Sequence, residues 1–202
     1  MKLKTMFWQA VLLLGAALPC AAQSDAAAWL ERLDAAIARE GSYAVHFSVT
    51  TSEEFAGRGY YLVDGESYYL VLGDAEVFCD GSIRYEVSRV AREVTVVSVD
   101  PASRNLLDNP THAFDFLDES YAAELLSADA ERALLRLTPR GKGPVSEVLL
   151  CVDAQRALPQ YVTYVADGLE VKVSILSFEK LQRPVLTFDA ARYADYELID
   201  FR

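Results

Sequence analysis

The chain has 202 residues, and its 30 Asp and Glu against 19 Lys and Arg give a formal net charge of −11. That balance excludes a nucleic-acid groove or a polybasic membrane patch, both of which need clustered positive charge. With 52% apolar and 11% aromatic residues the chain is neither disordered nor fibrous. Three Cys and two His without a C-x-x-C pair argue against a structural zinc site, so neither metal nor cofactor is expected.

Lys2 and Lys4 precede a short apolar run, Val11 to Leu18, and the small residues Ala21 and Ala22 follow. This is the pattern of a secretory signal, with a charged start, an apolar centre and a small-residue cleavage site. The run is shorter than the roughly 20 residues a membrane-spanning helix needs. Residues 1–22 are therefore expected to be a signal peptide, and residues 23–202 a single exported, periplasmic domain. Cys20, preceded by Pro19, leaves a lipidated N-terminus open as the other reading.

Residues 25–40 predict a helix. Trp29, Leu33 and Ile37 recur every four residues, Leu30 widens the stripe, Ser24 or Asp25 offers a cap, and Gly41 offers a stop. After Gly41 the period changes to two: Tyr43, Val45, Phe47 and Val49 alternate with Ala44, His46, Ser48 and Thr50, as in a half-buried strand. Further strands are predicted at 55–63, 66–72, 75–79, 82–88 and 93–99. Asp64-Gly65, Gly73-Asp74 and Asp80-Gly81 separate the first four of these as hairpin turns, and Asp100-Pro101 closes the last. Residues 101–130 interrupt the pattern. Asn109-Pro110 can open a helix there, and His112–Leu117 and Tyr121–Leu126 read as helical. Strands resume at 132–138, 145–152, 158–166 and 169–179, with a last short one at Leu186 and Phe188. The expected fold is mostly β with helices (α+β): ten or eleven antiparallel strands curling toward closure, one face apolar, accompanied by an N-terminal helix and the mid-chain helical insertion. Without repeats or linkers, one monomeric domain is expected. Cys79 and Cys151 are expected to be separate buried thiols.

No G-x-S-x-G elbow, phosphate loop or dinucleotide fingerprint is present. Gly57-Arg58-Gly59 lies among strand residues and reads as a bulge or bend rather than a phosphate cradle. His46 and His112 read as surface or capping residues, and Asp115, Asp118 and Glu119 as a solvated face. Nothing nominates a nucleophile or base, so no enzyme is expected. The excess of apolar material on one sheet face leaves two readings open: ordinary core, or a cavity for an apolar ligand.

The order of motifs resembles that of the periplasmic outer-membrane lipoprotein carriers, the LolA type. An export signal and an amphipathic helix come first, then Gly57-Arg58-Gly59 in a strand and the hairpin Cys79-Asp80-Gly81 leading to Tyr85 and Glu93-Val94-Thr95-Val96. Asp108-Asn109-Pro110 and Leu137-Thr138-Pro139 follow. The ending, Phe188-Asp189, Tyr193 and Glu197 to Arg202, is similar to one divergent branch of that family. The resemblance covers nearly all of the mature chain. It implies an unclosed eleven-stranded antiparallel barrel lidded by helices, which takes up the acyl chains of lipoproteins. It also implies an inner-membrane ABC-type release complex as donor and an outer-membrane acceptor. Where familiar members carry Lys-Arg-Pro after the strand matching Tyr60–Val63, this chain has Asp64-Gly65-Glu66.

On that reading the acyl cavity is expected to be lined by Val45, Phe47, Val49, Tyr69, Val71, Ile83, Tyr85, Leu135, Leu137, Val148, Leu150, Val171 and Val173 from the strands. Trp29 and Leu33 would face in from the first helix, and Phe114 and Leu117 from the 101–130 insertion acting as a mobile lid. A lipid or glycolipid shuttle on the same fold, and an interaction module with a filled core, remain the alternatives.

Overall fold

A computed structural model describes residues 19–202 apart from Phe55 and Asp118, and side chains from Asp25 onward. The expected signal run through Leu18 lies outside the described residues. The first helix, α1 (Pro19–Glu40), starts earlier than the periodicity suggests, so Ser24 and Asp25 lie inside it rather than capping it. Its buried stripe is Ala26, Leu30, Leu33 and Ala36, with Trp29 and Ile37 flanking. Arg32 stacks its guanidinium 4.1 Å over the Trp29 ring and donates to the Ala154 carbonyl, tying α1 to the sheet. Gly41, at φ +66°, ends the helix in a conformation that costs a residue without Cβ nothing.

Twelve strands follow among the described residues. They are β1 (Tyr43–Thr51), β2 (Ala56–Asp64), β3 (Ser67–Leu72), β4 (Ala75–Cys79), β5 (Ile83–Ser88), β6 (Glu93–Ser98), β7 (Tyr121–Ala128), β8 (Arg132–Pro139), β9 (Val145–Asp153), β10 (Pro159–Ala166), β11 (Leu169–Lys180) and β12 (Glu197–Asp200). They form one sheet in the order β12-β6-β5-β4-β3-β2-β1-β11-β10-β9-β8-β7. Two meanders, β1 to β6 and β7 to β11, are joined where β1 pairs antiparallel with β11. The sheet is open, with β7 at one edge and β12 at the other. Every pairing is antiparallel except that β12 runs parallel to β6.

The hairpin turns fall where the Gly pairs place them, though in two geometries. Asp167-Gly168 has positive φ at both residues, the type I′ signature. At Gly65-Glu66 and Gly73-Asp74 only the glycine does, as in type II′. Each loop is two residues long, which pins register and therefore which side chains face inward.

Three expectations are corrected. Residues 101–130 contain no helix among the described residues. Residues 121–128 are the edge strand β7, and the described residues of 99–120 are turns, a bend and irregular chain. The helix-forming run Ala122-Ala123-Glu124-Leu125-Leu126 is overridden by its ladder with β8 and by α1 lying against it, since intrinsic propensity amounts to only tenths of a kcal/mol per residue. Leu186 and Phe188 are not in a strand. The last strand is β12, reached through a 3₁₀ turn at Ala190–Tyr193, where the Asp189 side chain accepts from the Ala191 amide. Gly57–Gly59 sits in an unbroken ladder with β1, and the bulge lies instead between His46 and Phe47 against β11.

Gly59 has a steric reason. A Cβ there would stand 2.3 Å from the Val71 carbonyl oxygen and 2.7 Å from Cζ of Phe47, whose ring crosses directly over it. Gly59→Ala is expected to destabilise the fold by about 1–3 kcal/mol through overpacking. The midpoint of urea unfolding, with unchanged m-value, is the measurement.

Candidate functional site: the concave face and its cover

The inner face of the curled sheet carries one continuous apolar cluster. Val45, Phe47, Tyr61, Leu135, Leu137, Val148, Leu150, Val162 and Val173 are all fully buried in it. Two things cover this face. One is the apolar stripe of α1. The other is the connection from β6 to β7, which must cross from one end of the open sheet to the other edge and does so without regular secondary structure. That strap lowers Leu106, Ala113, Phe114 and Phe116 into the concavity, where all four are buried. Phe116 meets Tyr121 edge-on, with ring centroids 5.2 Å apart.

Polar side chains rising from the sheet hold the strap. The Tyr164 hydroxyl accepts from the Leu106 amide at 3.0 Å and donates to the Arg104 carbonyl at 3.1 Å. Tyr68 donates to the Asp108 carbonyl at 2.8 Å. Arg84 donates to the Leu107 carbonyl and lies 3.7 Å from the Asp108 carboxylate. Burial pushes the Tyr68 and Tyr164 hydroxyls well above their ordinary pKa, so both stay protonated donors at any physiological pH.

At the mouth, His112 on the strap bridges two carboxylates. Its Nδ1 lies 2.5 Å from Asp115 and its Nε2 lies 2.9 Å from Glu66, in the β2–β3 turn. Glu66 belongs to the Asp64-Gly65-Glu66 stretch that stands where the family resemblance places Lys-Arg-Pro. Burial acts to lower the His112 pKa, but the hydrogen bonds and charges of Asp115 and Glu66 outweigh it and hold the pKa above the ordinary imidazole value. His112 is thus a latch between strap and hairpin rather than a mere helix cap.

The outer face of β3 to β6 is apolar too. Tyr69, Phe78, Val87, Val94 and Val96 form a second cluster there, covered by the C-terminal segment through Phe188, Tyr193 and Tyr196. Phe188 stacks on Tyr85 with centroids 4.2 Å apart and planes 4° from parallel, and on Tyr193 at 5.5 Å. The hydroxyls of Tyr69 and Tyr193 both donate to the buried Glu76 carboxylate, at 3.0 and 3.2 Å, and Arg89 lies 3.4 Å from its other oxygen. A groove of about 470 Å³ opens beside this cover, walled by Tyr85, Phe188, Tyr193, Tyr196 and Leu198.

The structure divides the expected lining residues. Trp29, Leu33, Val45, Phe47, Val49, Phe114, Leu135, Leu137, Val148, Leu150, Val171 and Val173 meet in the inner cluster. Tyr69, Val71, Ile83 and Tyr85 do not: they belong to the outer cluster. The register explains this, because Tyr61 pairs with Leu70 and Cys79 with Arg84, so Tyr68, Leu70, Val77 and Cys79 face inward and the inner side of β5 carries Arg84 and Glu86. Leu117 is exposed at the surface. Residues not anticipated from sequence are Tyr61, Tyr68 and Tyr164, whose hydroxyls mark the inner site, and Leu106 and Phe116 on the strap. Cys79 and Cys151 are free and buried. Cys79 is in the inner cluster, whereas Cys151 points away from it between inward Leu150 and Val152, so the sheet separates them.

No family model and no curated protein matches the chain. Solved structures do. An uncharacterized conserved protein from Thermus thermophilus is similar over 88% of this chain and 99% of its own, with TM-score 0.57 and 7% identity. A LolA superfamily protein from Nitrosomonas europaea is similar over 79% and 94%, with TM-score 0.44 and 15% identity. LprF from Mycobacterium bovis is similar over 82% and 97%, with TM-score 0.44 and 14% identity. The first likeness shows a shared fold, an open curved antiparallel sheet with one N-terminal helix. No helix among the described residues is long and apolar enough to cross a membrane.

The latch is expected to make the strap sensitive to pH. A His whose pKa is raised in the closed state favours closure most strongly below its ordinary value of 6.5, and that contribution is lost as pH rises through the raised value. Amide exchange in residues 101–120, corrected for intrinsic rates, is therefore expected to speed up across that interval, and His112→Ala is expected to abolish the step. On the outer face, a double-mutant cycle between Tyr85→Ala and Phe188→Ala is expected to give about 0.5–1.5 kcal/mol of coupling in denaturant unfolding.

Proposed function

We propose that the protein is a periplasmic carrier that takes acyl chains into the concavity of its sheet when the strap moves aside. On this reading it carries acylated lipoproteins from an inner-membrane ABC-type release complex to an outer-membrane acceptor, as the sequence resemblance implies. The observation that carries the proposal is the nature of the cover. A largely apolar concave face is sealed on one side by an irregular segment that rests on side-chain hydrogen bonds and buried apolar side chains, with no ladder joining it to the sheet.

The magnitudes support exchange of cover for cargo. Evicting Leu106, Phe114 and Phe116 costs about 5–9 kcal/mol at about 1.5–3 per large apolar side chain. An acyl chain of about sixteen carbons recovers about 12 kcal/mol at about 0.8 per methylene. One chain therefore suffices to displace the strap, and the balance is close enough for cargo to leave again toward a tighter acceptor. The role is binding and release, which needs no catalytic group.

Native mass spectrometry of protein purified from its own periplasm without detergent tests this. The expected result is an added mass that fragments to an acylated N-terminal Cys peptide. A bound free phospholipid or glycolipid would assign the shuttle function instead. Phe47→Glu, which puts a charge at the centre of the concave face, is expected to abolish the adduct, and retention of the adduct by that variant would sink the assignment of the site.

A further inference from the structure

Tyr61 holds a polar atom that the closed structure leaves unused. It lies on β2 at the centre of the concave face, opposite Val45 on one side and Leu70 on the other. It is fully buried, and its hydroxyl has no hydrogen-bond partner among the described residues. The ring is fixed by aromatic neighbours, with Tyr43 edge-on at 6.3 Å and Phe47 tilted at 5.8 Å between centroids. Tyr68 and Tyr164, on the same face, spend their hydroxyls on the strap's backbone. A buried hydroxyl without a partner destabilises the state that contains it, and a phenylalanine would fill the same space without that penalty.

We propose that the Tyr61 hydroxyl is a recognition donor for the carbonyl oxygen of an acyl ester, received at the centre of the concave face when the strap lifts. The inference rests on the carrier reading above and deepens it by naming the ligand's chemistry: an ester-linked acyl chain is taken in preference to a plain alkyl one. Desolvation and the neighbouring Tyr43 and Tyr164 hold the Tyr61 pKa far above its ordinary value, so the group is a donor at any pH at which the protein works. On this face the strap engages the hydroxyls of Tyr68 and Tyr164, whereas Tyr61 offers a fixed, unpaired donor that sets how deep the chain sits, because the carbonyl pairs at its level. Hydrocarbon burial supplies affinity and is indifferent to position, whereas the single hydrogen bond supplies register. Tyr68 and Tyr164 regain their strap partners on closure, whereas Tyr61 is satisfied only with ligand present.

The test compares wild type with Tyr61→Phe in displacement of an environment-sensitive apolar dye. The competitors are a diacyl phospholipid, its dialkyl ether analogue of the same chain length and headgroup, and a diacylglyceryl-cysteine lipopeptide. Wild type is expected to prefer the ester phospholipid over the ether by about fivefold, the size of one modest hydrogen bond. Tyr61→Phe is expected to erase that preference while binding the ether analogue as before. Its thermal midpoint without ligand is expected to stay level or rise. An equal ester preference in both proteins, or a lower midpoint for the variant, which would mean the hydroxyl is already satisfied in the free protein, overturns the inference and leaves the carrier reading standing. Failure of wild type to bind any of the three overturns both. Stronger displacement by the lipopeptide assigns the ester to lipoproteins, and stronger displacement by the phospholipid assigns it to free lipid. Either supports the role of Tyr61 provided the variant loses that ligand by the same factor.

Discussion

A sheet that curls without closing has an apolar concave face and two unjoined edges, and that face must be kept from water. Here it is done by α1 and by a strap of irregular chain. Both follow from connectivity: α1 lies along the edge strand β7, and the strap is the path the chain must take from β6 to β7 once β1 has paired with β11. Closing the barrel with a ladder between β7 and β12 would remove the edges, but it would also remove the strap's reason to cross the opening. The open sheet therefore generates its own cover, and that cover is the least regular part of the fold.

A cover of this kind is held differently from the core beneath it. The sheet is maintained by long antiparallel ladders whose loss would be cooperative. The strap is maintained by Tyr68, Tyr164 and Arg84 reaching its backbone and by His112 between Glu66 and Asp115. Those contacts run from single side chains to the strap, two of them from the buried Tyr68 and Tyr164, and none belongs to a strand ladder. Local opening of such a segment costs less than global unfolding, which is the property a binding lid requires. The outer face shows the opposite choice. There the C-terminal segment is locked by stacked rings at Tyr85, Phe188 and Tyr193, by the Glu76 carboxylate and by the β12–β6 pairing. One face of the same sheet is covered through stacked rings and a strand pairing, the other through side-chain contacts to an irregular segment.

Much of this was legible in the residues. The change of period at Gly41, the Gly-containing hairpin turns and the alternation in each strand identified β1 to β6 and β8 to β11 in kind, if not in every boundary. The two edge strands escaped, β7 because it reads as a helix and β12 because the last strand was expected earlier, at Leu186 and Phe188. Twelve of the expected lining residues do meet on the concave face, because alternation along a strand fixes which residues travel together. The order of motifs pointed to the open-barrel fold that the structure has.

What alternation does not fix is which of the two faces a set of residues takes. Ile83, Tyr85 and Val87 alternate as cleanly as Val45, Phe47 and Val49, yet they face outward. Each two-residue turn passes register to the next strand, and a distant segment, residues 185–196, covers that outer surface. Local propensity likewise made a helix of 121–126, where pairing with β8 and contact with α1 outweigh a few tenths of a kcal/mol per residue. The sequence by itself determined the period of each element, the position of its turns and the chemistry available. Only the tertiary structure decided which face is inside, what covers it, and that Tyr61 stands there with a hydroxyl unpaired, because those depend on pairings between residues far apart in the chain.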